Sequence, residues 1–308
     1  MNIELPIEQL RRSFAGHLQE NVVMANYTTA QVGGKVDALL PVNTLEELSE
    51  AAAMLWQMDV PFKMIGSGSN VLVSDEGLHG LIILNRARNV KIDSRSEPPS
   101  VWAESGANLG HMARQVALRG LAGLEWAASV PGTLGGAIYG NAGANGSDMQ
   151  ASLSMAEILH RDSGRESWPV ERLAFAYRSS ILKREHIPAI ILAGRLDVQV
   201  STSEEVQARI AAFNDKRRAT QPPGASSGSM FKNPPGDFAG RLIEAAGLKG
   251  RRIGGAEISQ VHANFFVNQG KASARDVWEL IQIAQHTVED KFGVRLELEI
   301  ELLGEFDR

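Results

Sequence analysis

Two glycine-rich segments of the sequence have residue types and spacing suited to binding anions and flat rings through backbone N–H groups. The first, "GSGSNVLVS" at residues 66–74, places small residues between two segments that have the character of strands. Successive N–H groups in such a loop form a concave anion site, which the side chains of Ser67, Ser69 and Asn70 can complete. A hairpin connection without a ligand explains this loop equally well.

The second segment, "PGTLGGAIYGNAGANG" at residues 131–146, contains six glycines in sixteen residues. A tight turn needs only about one or two glycines, so this run predicts that a large ligand lies against bare backbone. Together the two loops suit a ligand that has both a pyrophosphate and a broad planar ring. Flavin adenine dinucleotide (FAD) is such a ligand.

The common nucleotide-binding motifs are disfavoured. In the first loop Val71 occupies the position of the third glycine of a dinucleotide fingerprint, and a β-branched run follows it in place of a helix. The chain contains no Walker A sequence. The loops therefore predict a site outside the Rossmann and P-loop folds.

The elements that must position these loops alternate between helices and strands. "TLEELSEAAAMLWQM" predicts a helix that begins with a capping box at Thr44 and Glu47, and "LGHMARQVALRGLAG" predicts one that ends at Gly120. "VPFKMIGSGSNVLVS" has the pattern of a strand, a loop and a strand. Further strands are predicted in "GLIILN", "PSVWAESGA", "SLSMAEIL", "ERLAFAYRSS" and "AIILAGRLDVQV".

The composition changes near residue 200, where we predict a domain boundary. An amphipathic helix ("STSEEVQARIAAFNDKRRAT") precedes a Pro/Gly/Ser loop, and a helix, a strand and a long helix opened by Ser273 and Asp276 follow. The last segment, "VRLELEIELL", alternates as a strand with Glu297, Glu299 and Glu301 on one face. Three carboxylates on one face normally face water.

Composition excludes several classes of function. The chain has 308 residues, a net charge of −5 and no cysteine, which excludes disulfides, thiol catalysis and cysteine-ligated metals. The seven histidines fit no metal-ligand spacing, and no basic stripe indicates nucleic acid. There is no signal-peptide pattern and no apolar run near the roughly 18 residues of a membrane helix. We expect a cytoplasmic monomer without a metal or a membrane partner.

Several segments, in order, resemble the UDP-N-acetylenolpyruvoylglucosamine reductase family of peptidoglycan precursor synthesis. The resemblance runs from about Asn26 to Gly304 and rests on "NYTTAQVGGKVDALL", "IGSGSNVLVSDEGLHGLII", "LEWAASVPGTLGGAIYGNAGANG", "AYRSS", "SGSMFKNP", "FAGRLIEAAGLKG", "IGGAEISQVHANFFVN" and "LELEIELLG".

The resemblance implies an α+β fold with a two-part FAD-binding domain of the vanillyl-alcohol-oxidase (PCMH) type. That domain would span residues 21–200, with subdomains at about 21–80 and 81–200, after an N-terminal helix at 1–20. A smaller α+β substrate-binding domain would span 201–308, with its last strand at about 294–303 contributing a catalytic glutamate.

The resemblance also implies which residues hold non-covalent FAD. The pyrophosphate would be held by Gly66, Ser67, Gly68, Ser69 and Asn70. The flavin would be lined by Pro131, Gly132, Thr133 and Gly136, with Asn141, Ala142 and Gly143 close by. A covalent flavin link is not expected, because cysteine is absent and no histidine lies in these motifs.

The implied reaction reduces the enolpyruvyl double bond of UDP-N-acetylglucosamine enolpyruvate to give UDP-N-acetylmuramate. NADPH passes a hydride to the flavin, which passes it to the terminal vinyl carbon. Ser229 matches the proton donor of the family, Arg178 matches the arginine that binds the substrate carboxylate, and Glu299 matches the active-site acid. From local sequence alone, Ser229 would be a flexible-loop serine and Arg178 a surface arginine.

Further matches implicate residues in substrate binding. Arg217, Lys232 and Asn233 would meet the UDP diphosphate, and Asn264 lies in a motif near the substrate. Tyr177 would shape the pocket, although a core tyrosine is the alternative reading. A solvated helix end is the alternative for Arg217.

One feature indicates the subclass. Longer family members carry an inserted loop whose tyrosine covers the UDP, and there is no room for it between Ser180 and the helix after residue 200. The chain therefore resembles the shorter type. Two rival hypotheses are an FAD-dependent alcohol or lactone oxidase or dehydrogenase, and a flavin-binding module without turnover.

Overall fold

Helices and strands alternate along the chain, as the sequence predicted. The structure is a computed structural model that describes residues 5–306. Its α-helices are α1 (Ile7–Ser13), α2 (Leu45–Gln57), α3 (Leu109–Leu118), α4 (Leu134–Tyr139), α5 (Met149–Ser152), α6 (Ile181–Arg184), α7 (Ser203–Thr220), α8 (Ala239–Ala245) and α9 (Ala274–Phe292).

Most of the strands are short. They are β1 (Gln19–Val23), β2 (Lys35–Val42), β3 (Phe62–Ile65), β4 (Val71–Val73), β5 (Leu78–Asn85), β6 (Val90–Asp93), β7 (Ser100–Glu104), β8 (Leu121–Ala122), β9 (Gly143–Ala144), β10 (Ser147–Asp148), β11 (Leu153–His160), β12 (Gly164–Pro169), β13 (Ala189–Asp197), β14 (Gln199–Val200), β15 (Arg252–Ile253), β16 (Ala256–Ile258), β17 (Phe266–Asn268) and β18 (Glu301–Leu303). Short 3₁₀ helices lie at Met24–Tyr27, Glu125–Ala127 and Val170–Leu173.

The chain forms two compact units, and each is discontinuous in sequence. Unit 1 comprises Met1–Leu39, Ser67–Leu81 and Arg218–Arg308, and unit 2 comprises Leu40–Gly66 and Ile82–Arg217. Packing defines these units, so they do not test which segment binds FAD and which binds substrate. The assignment of residues 21–200 and 201–308 to those roles stays a prediction.

Unit 2 is built on a five-stranded antiparallel sheet in the order β12–β11–β13–β7–β6. Helix α4 packs closely on β13 at Gly194, where an added Cβ would lie 2.9 Å from the Ile138 side chain. Ile138 and Leu134 belong to the buried core of this unit. The close contact fixes the helical part of the glycine-rich segment against the sheet.

Unit 1 contains the three-stranded sheet β15–β16–β17 and the parallel pair β4–β18. Its long helix α9 begins with the predicted capping box, in which Ser273 Oγ accepts the N–H of Asp276 at 3.0 Å. The carboxylate of Asp75 accepts two more N–H groups at the start of α9, from Ala274 and Arg275, at 2.9 and 2.8 Å. These bonds fix the segment just after β4 to the helix.

Two predicted strands are wrong. "ERLAFAYRSS" is a 3₁₀ helix followed by a tight turn, in which Ala176 and Ser179 exchange backbone hydrogen bonds of 2.9 and 3.0 Å. In "VRLELEIELL" only Glu301–Leu303 is a strand. Before it, residues 297–299 bond to residues 230–232 instead, so this segment changes partner along its length.

The remaining predicted elements agree with the structure in type. The predicted helices correspond to α2, α3, α7, α8 and α9, and the strand–loop–strand pattern corresponds to β3 and β4. The N-terminal helix predicted at 1–20 is shorter, because α1 ends at Ser13 and β1 begins at Gln19; residues 1–4 lie outside the described part. Within residues 5–306, no helix is both long and apolar enough to cross a bilayer.

Candidate active site

In unit 2 the two glycine-rich loops meet at Gly66 and Thr133. An added Cβ on Gly66 would lie 2.4 Å from Thr133 Oγ1 and 2.7 Å from Thr133 Cγ2. Only glycine fits there, because real Cβ contacts below about 3 Å are not tolerated. Position 66 of the first loop therefore requires glycine for its packing against Thr133, apart from any role in binding a ligand.

The second loop presents hydrogen-bond donors to its surroundings. Among residues 5–306, the N–H groups of Gly132, Thr133 and Gly136 have no protein acceptor, and the Thr133 hydroxyl makes no capping bond. Other backbone groups of this stretch are bonded to the protein, since Leu109 N donates to Gly132 O at 3.1 Å and Gly135 N donates to Ser105 O, just after β7, at 2.7 Å. A fixed backbone with available N–H donors fits the phosphates or ring edge of FAD.

Near this loop, one turn presents the predicted carboxylate-binding arginine. Tyr177 and Arg178 occupy the centre of the turn that closes at Ala176 and Ser179. Arg178 has a φ of 54°, a left-handed conformation that is uncommon for residues other than glycine. Its Nη1 donates to Gly143 O at 3.0 Å, and its guanidinium lies 5.8 Å from the Tyr177 ring centre.

Asn141 ties this turn to the glycine-rich loop. Its Nδ2 donates to Ala176 O at 3.1 Å, and its Oδ1 accepts Gln150 N at 3.0 Å. Ala142 follows, with its N–H bonded to Ala137 O at 2.9 Å. Backbone strain at Arg178 is thus held by specific contacts, which is typical of residues that bind a ligand.

In unit 1 the loop Ser67–Asn70 is fixed from two sides. Gly68 has a φ of 61° and its carbonyl accepts Thr29 N at 3.1 Å, while Thr29 Oγ1 donates to Ser226 O at 2.8 Å. In the described part of the chain, the N–H groups of Ser67 and Gly68 have no protein acceptor. Ser67 and Gly68 therefore also offer backbone N–H donors that could bind a phosphate.

The same loop is bonded to the predicted active-site acid. Asn70 Nδ2 donates to the backbone carbonyl of Glu299 at 3.1 Å, and Glu301 N donates to Asn70 O at 2.9 Å. On its other side, Glu299 N donates to Met230 O at 2.8 Å. Unit 1 therefore brings the 67–70 loop, Glu299 and the segment that contains Ser229 together.

Ser229 itself is half-buried, and its position is set by backbone contacts. It forms an antiparallel bridge with Phe265, and Met230 N donates to Asn264 O at 2.8 Å. Within residues 5–306 the Ser229 hydroxyl has no hydrogen-bond partner. A fixed serine whose hydroxyl is not used by the protein is suited to donate to a ligand.

The predicted substrate residues of unit 1 all have contacts within the protein. The Lys232 ammonium pairs with Glu297, and Asn233 Oδ1 accepts the N–H of Ala239 at 3.1 Å at the start of α8. Asn264 is 3% exposed. In unit 2, burial lowers the pKa of Arg217 near the end of α7. Contact of these four residues with substrate stays a prediction.

Comparison with known proteins identifies the family. The family profile described as "FAD binding domain" matches residues 36–165, and the one described as "UDP-N-acetylenolpyruvoylglucosamine reductase, C-terminal domain" matches residues 220–303. A UDP-N-acetylenolpyruvoylglucosamine reductase of Chloroflexus aggregans is 43% identical over 96% of this chain and 100% of its own length. The chain belongs to the UDP-N-acetylenolpyruvoylglucosamine reductase family.

Other members of this reductase family are also similar to the chain over nearly its whole length. The protein of that name from Bacillus subtilis is 37% identical over 98% of this chain and 99% of its own. The crystal structure of the UDP-N-acetylenolpyruvylglucosamine reductase from Thermus caldophilus superposes with a TM-score of 0.78 at 37% identity, covering 92% of this chain and 98% of that one. The predicted α+β fold with an FAD-binding domain is confirmed, as is membership of a family of flavin oxidoreductases.

In this reductase-family site, Thr29 was not assigned from sequence, and Asn264 was assigned to the substrate but not to the contact that it makes. Thr29 fixes the 67–70 loop, and Asn264 bonds the segment after Ser229. Thr29 lies in "NYTTAQVGG" and Asn264 in "HANFFVN", two of the segments on which the resemblance rests. The motifs therefore contained the signal, but their contacts are far apart in sequence and only the fold reveals them.

Proposed function

We propose that this protein reduces the enolpyruvyl double bond of UDP-N-acetylglucosamine enolpyruvate to UDP-N-acetylmuramate, using FAD and NADPH. Family membership supports the substrate class. The observation that carries the proposal is the arrangement in unit 1, where Glu299 is bonded through its backbone to both the 67–70 loop and the Ser229 segment. An alcohol or lactone oxidase would not need a fixed hydroxyl donor of this kind.

Ser229 is proposed to donate the proton in the reaction. Flavin that has been reduced by NADPH would, when bound, supply the hydride for the terminal vinyl carbon. The adjacent carbon then carries carbanion character conjugated to the substrate carboxylate, and it is a base strong enough to take a proton from a serine hydroxyl. Proton donation of this kind contributes about 10²–10⁴-fold when the donor is held within hydrogen-bond reach.

Arg178 is proposed to bind the substrate carboxylate. Its planar guanidinium can make two parallel hydrogen bonds to a carboxylate and can stabilise the charge that develops there. The left-handed backbone at Arg178 and its bond to Gly143 O limit the orientations of the side chain. Preorganised donors of this kind stabilise developing charge without reorganising during the reaction.

Glu299 is proposed to assist protonation or to order the surroundings of Ser229. Its backbone N–H and carbonyl are both bonded, to Met230 and Asn70. Lys232, Asn233 and Arg217 are proposed to meet the UDP diphosphate. The cytoplasmic location and the monomeric state remain predictions.

Separate half-reactions test the proposal. The purified protein should be yellow, and NADPH should bleach it under anaerobic conditions. The enolpyruvyl sugar nucleotide should then restore the colour faster than oxygen does. Recovery with oxygen alone would indicate an oxidase, and failure to bleach would indicate a binding module.

The proton-donor role is tested by Ser229→Ala. Flavin reduction by NADPH should stay nearly unchanged, while reoxidation by the substrate should slow by about 10²–10⁴-fold because the donor is lost. Ser226→Ala is a matched control, since Ser226 is a half-buried serine of the same loop. Equal losses in both half-reactions of Ser229→Ala would contradict the role.

A further inference from the structure

The amide side chain of Asn264 is bonded to both backbone groups of one residue near Ser229. Its Oδ1 accepts the N–H of Phe231 at 2.9 Å, and its Nδ2 donates to the carbonyl of Phe231 at 2.8 Å. Its own carbonyl accepts the N–H of Met230 at 2.8 Å. Three hydrogen bonds from one buried residue therefore fix the two residues that follow Ser229.

On the other side of Ser229 the chain is held at Ser227, which is 2% exposed and whose Oγ donates to Val71 O at 3.0 Å. Gly228 has a φ of 76°, and an added Cβ there would meet no atom within 4 Å. By contrast, Phe231 is 1% exposed and packs edge-to-face on Phe266, with ring centres 6.1 Å apart. Between Ser227 and Phe231, Gly228 has a backbone that packing does not restrict, so the bonds from Asn264 to Met230 and Phe231 fix Ser229 from its C-terminal side.

The segment that Asn264 fixes is also bonded to Glu299, the predicted active-site acid. Met230 O, in the residue that Asn264 fixes, accepts the N–H of Glu299 at 2.8 Å. Loss of the Asn264 amide would leave the N–H and carbonyl of Phe231 in a buried environment without these partners. A buried polar group without a partner is unfavourable, which favours movement of the segment.

We propose that Asn264 is a positioning residue for proton donation, which holds the Ser229 hydroxyl in place through the backbone of Met230 and Phe231. The inference rests on the proposed role of Ser229 as the proton donor. In this role Asn264 does not bind the substrate directly, which differs from the role expected from the sequence. Both polar groups of its side chain are bonded to Phe231, and the residue is 3% exposed.

The test compares Asn264→Ala and Asn264→Asp with the control Asn268→Ala. Asn264→Asp keeps the size and the acceptor but loses the donor to Phe231 O. Asn268 lies in the same unit, and its side chain also bonds to backbone groups, of Ala30, Gln31, Gly270 and Ala272, but to none of residues 229–231. The measurements are flavin reduction by NADPH, reoxidation by the enolpyruvyl sugar nucleotide, and substrate affinity.

Both Asn264 variants should be reduced by NADPH at close to the original rate and bind substrate with little change. Reoxidation should slow by about 10- to 100-fold, because a misplacement near 1 Å costs on the order of 10²-fold. The solvent deuterium isotope effect on reoxidation should rise, since proton transfer becomes limiting. Asn268→Ala should leave all of these measurements unchanged.

A double variant separates positioning from a general structural role. If Asn264 acts through Ser229, adding Asn264→Ala to Ser229→Ala should slow reoxidation no further than Ser229→Ala alone. Independent, additive losses would overturn the inference. So would equal losses in both half-reactions, or the failure of both Asn264 variants, but not Asn268→Ala, to fold with FAD. An unaffected Ser229→Ala would instead refute the proposed function itself.

Discussion

The contact between Gly66 and Thr133 makes a quantitative prediction for Gly66→Ala. The new Cβ would lie 2.4 Å from Thr133 Oγ1, 2.7 Å from Cγ2 and 3.1 Å from Cβ. Rotation about χ1 cannot relieve all three contacts, because the Thr133 Cβ is itself close. One of the two backbones must therefore shift.

Overpacking of this kind costs about 1–3 kcal/mol. The cost should divide between the stability of the FAD-free protein and its affinity for FAD, according to how far the loop relaxes when FAD is absent. If all of it falls on binding, the dissociation constant for FAD rises by about 5- to 150-fold. Chemical unfolding of the FAD-free protein and FAD titration together measure both parts.

Thr133→Ala should rescue most of this cost, since it removes the atoms at 2.4 and 2.7 Å and leaves only the contact at 3.1 Å. The four proteins of the double-mutant cycle give a coupling energy that is free of any direct contact of Thr133 with FAD. Gly140→Ala is the matched control, because its nearest contact is an ordinary 3.5 Å. An equal cost for Gly66→Ala in both backgrounds would refute the steric argument.

Three further predictions address the carboxylate-binding turn, a helix start and a titrating histidine. Arg178→Lys should keep flavin reduction by NADPH but slow reoxidation by substrate about 10-fold or more, because the two-pronged contact is lost; an unchanged reoxidation rate would contradict the role. Asp75→Ala should lower the free energy of unfolding by about 1–2 kcal/mol, since it removes acceptors for Ala274 N and Arg275 N, and equal urea midpoints would contradict this. Burial lowers the pKa of His262 from its ordinary 6.5, so stability should fall as the pH falls below about 6.5, and His262→Gln should flatten that dependence in pH-dependent unfolding.

The sign of the His262 prediction follows from proton binding. Because its pKa is lower in the folded state, the unfolded chain binds more protons in the window just below pH 6.5. The free energy of unfolding therefore rises with pH in that window. The neutral ring is also the form whose Nδ1 accepts the N–H of Asn264 at 3.2 Å.

Local patterns were sufficient for elements whose contacts are close in sequence. The helix α9 followed from the Ser273 and Asp276 capping box, and the strand–loop–strand around residues 66–70 followed from small residues between β-branched runs. The ordered motifs also carried the family, because they span nearly the whole chain. Within each element and each motif, the signal lies in residues a few positions apart.

Tertiary structure alone decided how the active-site segments are held. Alternation in "VRLELEIELL" could not show that residues 297–299 bond to residues 230–232 while Glu301–Leu303 pairs with β4, since a backbone partner leaves no mark on side-chain pattern. The bond from Asn70 to Glu299 joins residues 229 positions apart. The sequence by itself determined which residue types are present and which short helices and strands they form. Their arrangement around Ser229 depends on long-range hydrogen bonds that exist only once the chain has folded.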